Sequence, residues 1–227
     1  MNPLQLGPFM LKTEVLTFGL SVLAGYIGLR LRLNRSDTDH SDQAKVKDKL
    51  VNGFLMWLII WKLSLVLFDP VSVTMSPQAL LYFDGGEKGL WLGGIASGLY
   101  VGYSIMKSRI SVAAWVDYVS ISWFCGSAAY HLLMLLNGFH EGIYHLASSF
   151  ITILLAGMLF KRQKRGELPY LLQILLWFCI GQILSLFLNE GRTILIMGFS
   201  MSQLLYLVFS CMLLALAHKT EHKRKAG

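Results

Sequence analysis

The sequence predicts an all-α, polytopic membrane protein of seven transmembrane helices, with its amino terminus outside and its carboxy terminus cytoplasmic. Three observations carry this. Seven stretches are apolar and long enough to cross a bilayer, which takes about 20 residues of helix. Lysines and arginines crowd into alternate gaps between those stretches. Hydrophobic residues make up 55% of the 227-residue chain and charged residues only 15%, with a mean hydropathy of +0.55. One soluble core cannot hide that much apolar surface, whereas lipid accepts it on the outside.

The expected spans are 11–31, 50–68, 89–106, 112–136, 143–160, 168–188 and 194–217, within a single domain covering 1–227. The first run lacks a basic start and a small-residue cleavage site, so it is read as a retained span and not as a signal peptide. The connection 32–49 carries Arg32, Arg35, Lys45, Lys47 and Lys49. Lys107 and Arg109 follow the third span, and Lys161, Arg162, Lys164 and Arg165 follow the fifth. The tail has Lys219, Lys223, Arg224 and Lys225. The opposite gaps hold Lys88, Arg192 and, in 137–142, no lysine or arginine. The positive-inside rule places all four basic clusters in the cytoplasm. That distribution also accounts for the formal charge of +7: no basic surface is left for nucleic acid once the membrane-flanking loops are assigned. Cys125, Cys179 and Cys211 lie inside apolar segments without paired spacing and read as small buried hydrophobes.

Polar residues inside or beside the spans are the candidates for chemistry, because an ionisable group in a span costs at least about 2.5–3.5 kcal/mol at its centre. The longest outer loop, 69–88, contains Pro70, Pro77 and the run Phe83-Asp84-Gly85-Gly86-Glu87-Lys88-Gly89, which suits a re-entrant or interfacial loop lining a polar cavity. Gly93, Gly94, Gly98 and Gly102 continue into the third span, where Gly94 and Gly98 have the spacing of a close helix-packing face and ligand contact is the other reading. Lys62 is near enough to the outer end of its span to snorkel. Asp117 is expected to pair with Lys107 or Arg109. His131, Asn137, His140, Glu141, Tyr144 and His145 crowd into one hairpin tip. Three imidazoles and a carboxylate suit general acid–base chemistry or a divalent metal, although His140 and His145 lack the four-residue spacing that stacks ligands on a helix; ordinary polar packing is the third reading. Gln182, Asn189, Glu190 and Arg192 gather toward the same face, with Glu190 and Arg192 able to neutralise each other. Together these groups would form one polar, outward-facing chamber.

With these residues in view, the chain resembles the prolipoprotein diacylglyceryl transferase family over nearly its whole length. Leu4-Gln5-Leu6-Gly7-Pro8 is similar to the family's opening segment, and Trp61-Lys62-Leu63-Ser64-Leu65-Val66-Leu67-Phe68 sits where it has its second-span motif. Asp84-Gly85-Gly86 followed by Gly93-Gly94 resembles its twin glycine pairs. The stretch from Asp117 to Gly138 follows its signature without a gap, and Phe199-Ser200-Met201-Ser202-Gln203-Leu204-Leu205 resembles the opening of its last span. The resemblance implies seven spans, a bacterial plasma membrane, no cofactor, and transfer of a diacylglyceryl group from a phosphatidylglycerol-like phospholipid to a lipoprotein precursor's cysteine thiol.

The chain departs from the family at residues that hold phosphate or move protons. Leu92 replaces the histidine ahead of the second glycine pair, His131 replaces the signature arginine and Met134 its first asparagine. Gln182 stands for an arginine of the sixth span and Glu14 for a tyrosine of the first; the large outer domain is reduced to 137–142. Histidine does not grip phosphate bidentately or stay charged as arginine does. The leading expectation is a divergent transferase-like protein. His131, His140 and His145 would handle protons, and Lys62, Asp84, Gly85, Gly86, Gly93, Gly94, Asn137, Tyr144, Gln182 and Arg192 would hold the substrate. A non-catalytic lipid-binding or partner-binding scaffold is the alternative, and a histidine-based metal-binding or transport protein the third.

Overall fold

A computed structural model describes residues 4–6, 9–11, 13–35, 40–70, 86–108, 110–138, 141–162 and 167–225. Among them are seven helices: α1 (Thr13–Asn34), α2 (His40–Phe68), α3 (Gly86–Lys107), α4 (Val112–Leu136), α5 (Gly142–Lys161), α6 (Leu168–Leu186) and α7 (Met201–Lys225). Two short antiparallel hairpins complete the described elements, β1 (Leu4–Leu6) with β2 (Phe9–Leu11) and β3 (Ile194–Ile196) with β4 (Phe199–Ser200). Six helices, all but α3, contain a stretch long and apolar enough to cross a membrane. These helices fit an integral, multi-pass membrane protein. In α3 the glycines at 86, 89, 93, 94, 98 and 102 dilute the hydropathy of a sequence otherwise rich in Leu, Ile and aromatic residues.

Helix boundaries agree with the apolar runs to within two residues for α4, α5 and α6 and differ where composition is ambiguous. Helix α2 begins at His40, ten residues before the expected 50. Val46, fully buried, extends the inward face of Gly53 and Trp57 into a stretch that reads as loop from its lysines alone. The last helix starts at Met201 and not at 194. Residues 194–200 form the β3–β4 hairpin, whose two central residues Met197 and Gly198 have φ of 51° and 85°, as a tight turn matched to strand twist requires.

The chain forms two compact units. One comprises 1–36 with 116–227; the other is the inserted segment 37–115. In the first unit α1 crosses α4 through small residues: a Cβ on Gly25 would lie 2.7 Å from the Ser122 carbonyl oxygen, and one on Gly28 would lie 2.5 Å from Cys125 Sγ. Backbones approach this closely only where side chains are missing, the device helices use where lipid removes the hydrophobic drive to associate. At the end of that crossing Arg32 and Asp117 form a two-pronged ion pair, Nε to Oδ2 at 3.0 Å and Nη2 to Oδ1 at 3.2 Å. Arg32 Nη1 also donates to the Arg162 carbonyl oxygen at 3.0 Å. Asp117 is therefore paired with Arg32 of α1 and not, as expected, with Lys107; the other expected partner, Arg109, lies outside the described residues.

In the second unit α2 and α3 pack antiparallel. The packing face is Gly89, Gly93 and Ser97, one residue away from the expected Gly94–Gly98 face. A Cβ on Gly93 would meet the Trp57 carbonyl oxygen at 2.8 Å, and one on Gly89 would run into Ser64 Oγ. Trp57 Nε1 donates to the Leu90 carbonyl oxygen at 3.1 Å and Ser97 Oγ donates to the Gly53 carbonyl oxygen at 2.9 Å. Gly98 and Gly102 have nothing within 4 Å of the added atom. Gly93→Ala is expected to destabilise the protein by about 1–3 kcal/mol through overpacking against backbone. Gly98→Ala is expected to be neutral or to stabilise by up to about 1 kcal/mol through helix propensity. Thermal unfolding of both variants in detergent checks the pair, and equal melting temperatures would refute the assigned face.

Candidate functional site

Helix α4 ends in a glycine cap: the Asn137 N–H bonds the Leu133 carbonyl oxygen at 3.0 Å, and Gly138, with φ of 70°, takes the left-handed conformation that stops the helix. The chain re-enters α5 at Gly142. Two helix ends joined this tightly bring residues near the close of one beside residues near the start of the other. His131 and His145 meet in this way, Nδ1 to Nδ1 at 2.9 Å. Both are buried, at 6% and 7% exposure, and aromatic rings wall them in. The Tyr144 ring stands edge-on to His131 at 5.4 Å, and Tyr130 lies 5.4 Å from His131 and 6.4 Å from His145.

The chemistry of that contact follows from counting hydrogens. Two ring nitrogens 2.9 Å apart share one hydrogen, so one ring donates Nδ1–H and the other presents a bare Nδ1. With both rings uncharged, the donor ring has a bare Nε2 and the acceptor ring carries Nε2–H. A proton taken up at the first Nε2 and one released from the second pass charge through the pair without breaking it. The separation is also shorter than the roughly 3.3 Å expected between two imidazole nitrogens on one tetrahedral zinc. Among the described residues no group of three or more His, Cys, Asp or Glu side chains is placed to hold a metal ion.

Below the pair, α5 carries one polar stripe: His145, Ser148, Ser149 and Thr152 are all buried. Ser149 and Thr152 return their hydroxyl protons to carbonyl oxygens of their own helix, as such residues do in apolar surroundings. Ser148 reaches across to α6, Oγ to Ser185 Oγ at 3.1 Å, and Ser185 bonds the Gln182 carbonyl oxygen at 3.1 Å. The Gln182 side chain is 3% exposed and its Nε2 has no hydrogen-bond partner among the described residues. An amide donor left unpaired in the interior costs about 1–3 kcal/mol. Asn189 Oδ1 is unpartnered in the same sense.

The connection between α6 and α7 closes this end. Ser200 and Gln203 form a capping box at the start of α7: the Gln203 N–H donates to Ser200 Oγ at 3.4 Å while Gln203 Oε1 accepts from the Ser200 N–H at 2.9 Å. The fully buried Gln203 also donates from Nε2 to the Ile183 carbonyl oxygen at 3.2 Å. Arg192 donates to Gln203 Oε1 at 3.2 Å and to the Gly198 carbonyl oxygen at 3.3 Å, with its guanidinium 4.6 Å from the Phe187 ring centroid. Its charge is thus held by the hairpin and helix cap, and not by Glu190 as the sequence suggests. Glu141 leans toward the same connection, where a Cβ on Gly191 would lie 2.7 Å from its Oε1.

Of the expected site residues, His131, Tyr144 and His145 come together, and the serine bridge ties the backbone carbonyl of Gln182 to the helix that carries Tyr144 and His145. Asn137 turns to α1, its Nδ2 donating to Thr17 Oγ1 at 3.4 Å, and Arg192 is engaged in structure. Lys62, Gly86, Gly93 and Gly94 belong to the inserted unit; Gly93 is a packing residue. Asp84, Gly85 and His140 lie outside the described residues. Sequence reasoning missed Tyr130, Ser148 and Ser185. The run Ser148-Ser149 with Thr152 was the available signal, since the spacing puts three hydroxyls on the face of α5 that carries His145. No protein-family model, no curated protein and no solved structure matches the chain.

Proposed function

We propose that the chain is a divergent lipid-handling protein of the prolipoprotein diacylglyceryl transferase type. It spans the membrane seven times, α3 included, with the amino terminus outside, and takes a phospholipid head group into a cavity that opens outward. The single observation that supports this reading is the hydrogen-bonded His131–His145 pair, sealed from water between two apolar helices and poised to carry a proton. In such a transfer an acceptor cysteine thiol gives its proton to the bare Nε2 of the pair. The sulfur then forms a bond to the glycerol carbon of the lipid, and the carbon–oxygen bond to phosphate breaks, the phosphate leaving with the electron pair. The unpaired Gln182 amide is suited to a phosphate or ester oxygen, since a donor already stripped of water binds an acceptor with little further desolvation.

A scaffold that binds lipid without turning it over is the second reading, favoured by Arg192. Its guanidinium is spent on Gln203, the Gly198 carbonyl and Phe187, so it is not available as a phosphate clamp to compensate for Leu92. The two readings separate in one experiment. The full chain is expressed in a transferase-deficient bacterial strain with radiolabelled phospholipid and a reporter lipoprotein, which is then analysed by mass spectrometry. A diacylglyceryl thioether on the reporter is the expected product. Bound lipid with no modified reporter would replace the transferase reading by the scaffold.

A further inference from the structure

The inserted unit holds a cavity of about 360 Å³ lined by Lys45, Lys49, Tyr103, Ser104, Lys107, Ser108, Ile110 and Trp115. It lies where the start of α2, the end of α3 and the start of α4 come together. We propose that it binds a phosphate group, carried either by an anionic phospholipid or by a soluble phosphate.

Charge is the first argument. Three lysines, and no aspartate or glutamate, are among the described residues that line the cavity. An anion with more than one negative oxygen can engage several lysines at once. Each ammonium offers three donors on a flexible stem, which suits the tetrahedral oxygens of phosphate. Two of the three lysines lie against rings: Lys49 Nζ is 5.7 Å from the Tyr100 centroid and Lys107 Nζ is 5.9 Å from that of Tyr103.

The wall is the second argument. Trp115, 1% exposed, donates from Nε1 to Ser108 Oγ at 2.9 Å, and Ser108 donates to the Ile105 carbonyl oxygen at 2.9 Å. The indole and that hydroxyl are therefore fixed before any ligand arrives. Tyr103, Ile110 and Trp115 give one side an apolar, aromatic surface of the kind found at membrane interfaces. Basic pockets between membrane helices on the cytoplasmic side recur as sites for anionic lipid head groups, and a volume of this size falls in the range of ordinary ligand sites.

The test uses the full chain in phosphatidylcholine nanodiscs. One arm adds phosphatidylglycerol and counts retained lipids by native mass spectrometry; the other titrates inorganic phosphate by calorimetry. Replacing Lys45, Lys49 and Lys107 together by glutamine is expected to weaken the bound ligand about a hundredfold, at about fivefold for each lysine. The single variant Lys107→Gln, at an exposed position, should lose about fivefold on the same basis and guards against misfolding of the triple variant. A control removing Lys219, Lys223 and Lys225 should bind as the parent does. Loss confined to the first arm assigns the site to a lipid, and loss confined to the second to a soluble phosphate. Equal binding by parent and triple variant, equal loss in the control, or no binding of either probe overturns the proposal. The readout is binding alone, so a failed lipid-transfer assay leaves it intact.

Discussion

On the proposed transferase reading, replacing His145 by alanine is expected to slow transfer of labelled diacylglycerol to a cysteine-containing acceptor about 10²–10⁴-fold, the usual worth of a positioned proton carrier. Substrate KM should change little, because the imidazole acts on the proton and not on the lipid tails. His131→Ala should cost about as much, since removing either ring leaves the other without its Nδ1 partner. The double variant should then be no worse than either single one, as expected of groups that act as a unit. A purely packing role predicts lowered stability instead, with transfer by the folded protein unchanged. Nitrogen-15 spectra of labelled histidine supply an independent readout: one ring should show a protonated and the other an unprotonated Nδ1. Full transfer by both single variants would dispose of the relay.

The second large effect concerns stability. Asp117→Ala is expected to destabilise the protein by about 3–5 kcal/mol, the cost of stranding one member of a buried ion pair. Arg32 is 2% exposed and Asp117 1%, so neither has water to replace its partner. Without the carboxylate, the guanidinium loses both prongs of the pair while its bond to the Arg162 carbonyl oxygen remains. Arg32→Met combined with Asp117→Leu should recover much of the loss, because two apolar side chains of similar volume need no pairing. Melting temperatures of the parent and the two variants in nanodiscs give the comparison. A double variant no more stable than Asp117→Ala would mean that the pair itself, and not the orphaned charge, carries the stability.

Most of the helices were legible because lipid enforces a simple rule: a segment crossing it must satisfy its own backbone and present apolar side chains. The expected 112–136 and 143–160 accordingly lie within a residue of α4 and α5. The β3–β4 hairpin was not legible, since Ile194-Leu195-Ile196-Met197 is as apolar as the helix that follows. Only Gly198 marks the turn. The glycine face of α3 was misread by one residue because Gly89–Gly93 and Gly94–Gly98 obey the same four-residue spacing, and only the tryptophans of α2 decide between them. The histidine pair was half legible. A short turn between two spans brings 131 and 145 to similar depth, but nothing in the spacing says that the Nδ1 atoms meet. The partner of Asp117 was hidden by its distance, 85 residues away along the chain, and by an arginine that reads as part of a loop.

That separation also has a consequence for biogenesis. Helix α1 is synthesised with Arg32 in its last turn, and the counter-ion arrives only after the whole α2–α3 segment has left the ribosome. Until then no carboxylate offsets the cost of burying the guanidinium, so that end of α1 is expected to stay near water. The first span is thus inserted early and locked late, and a nascent chain truncated before Asp117 should be extracted or degraded more readily than one stopped just beyond it.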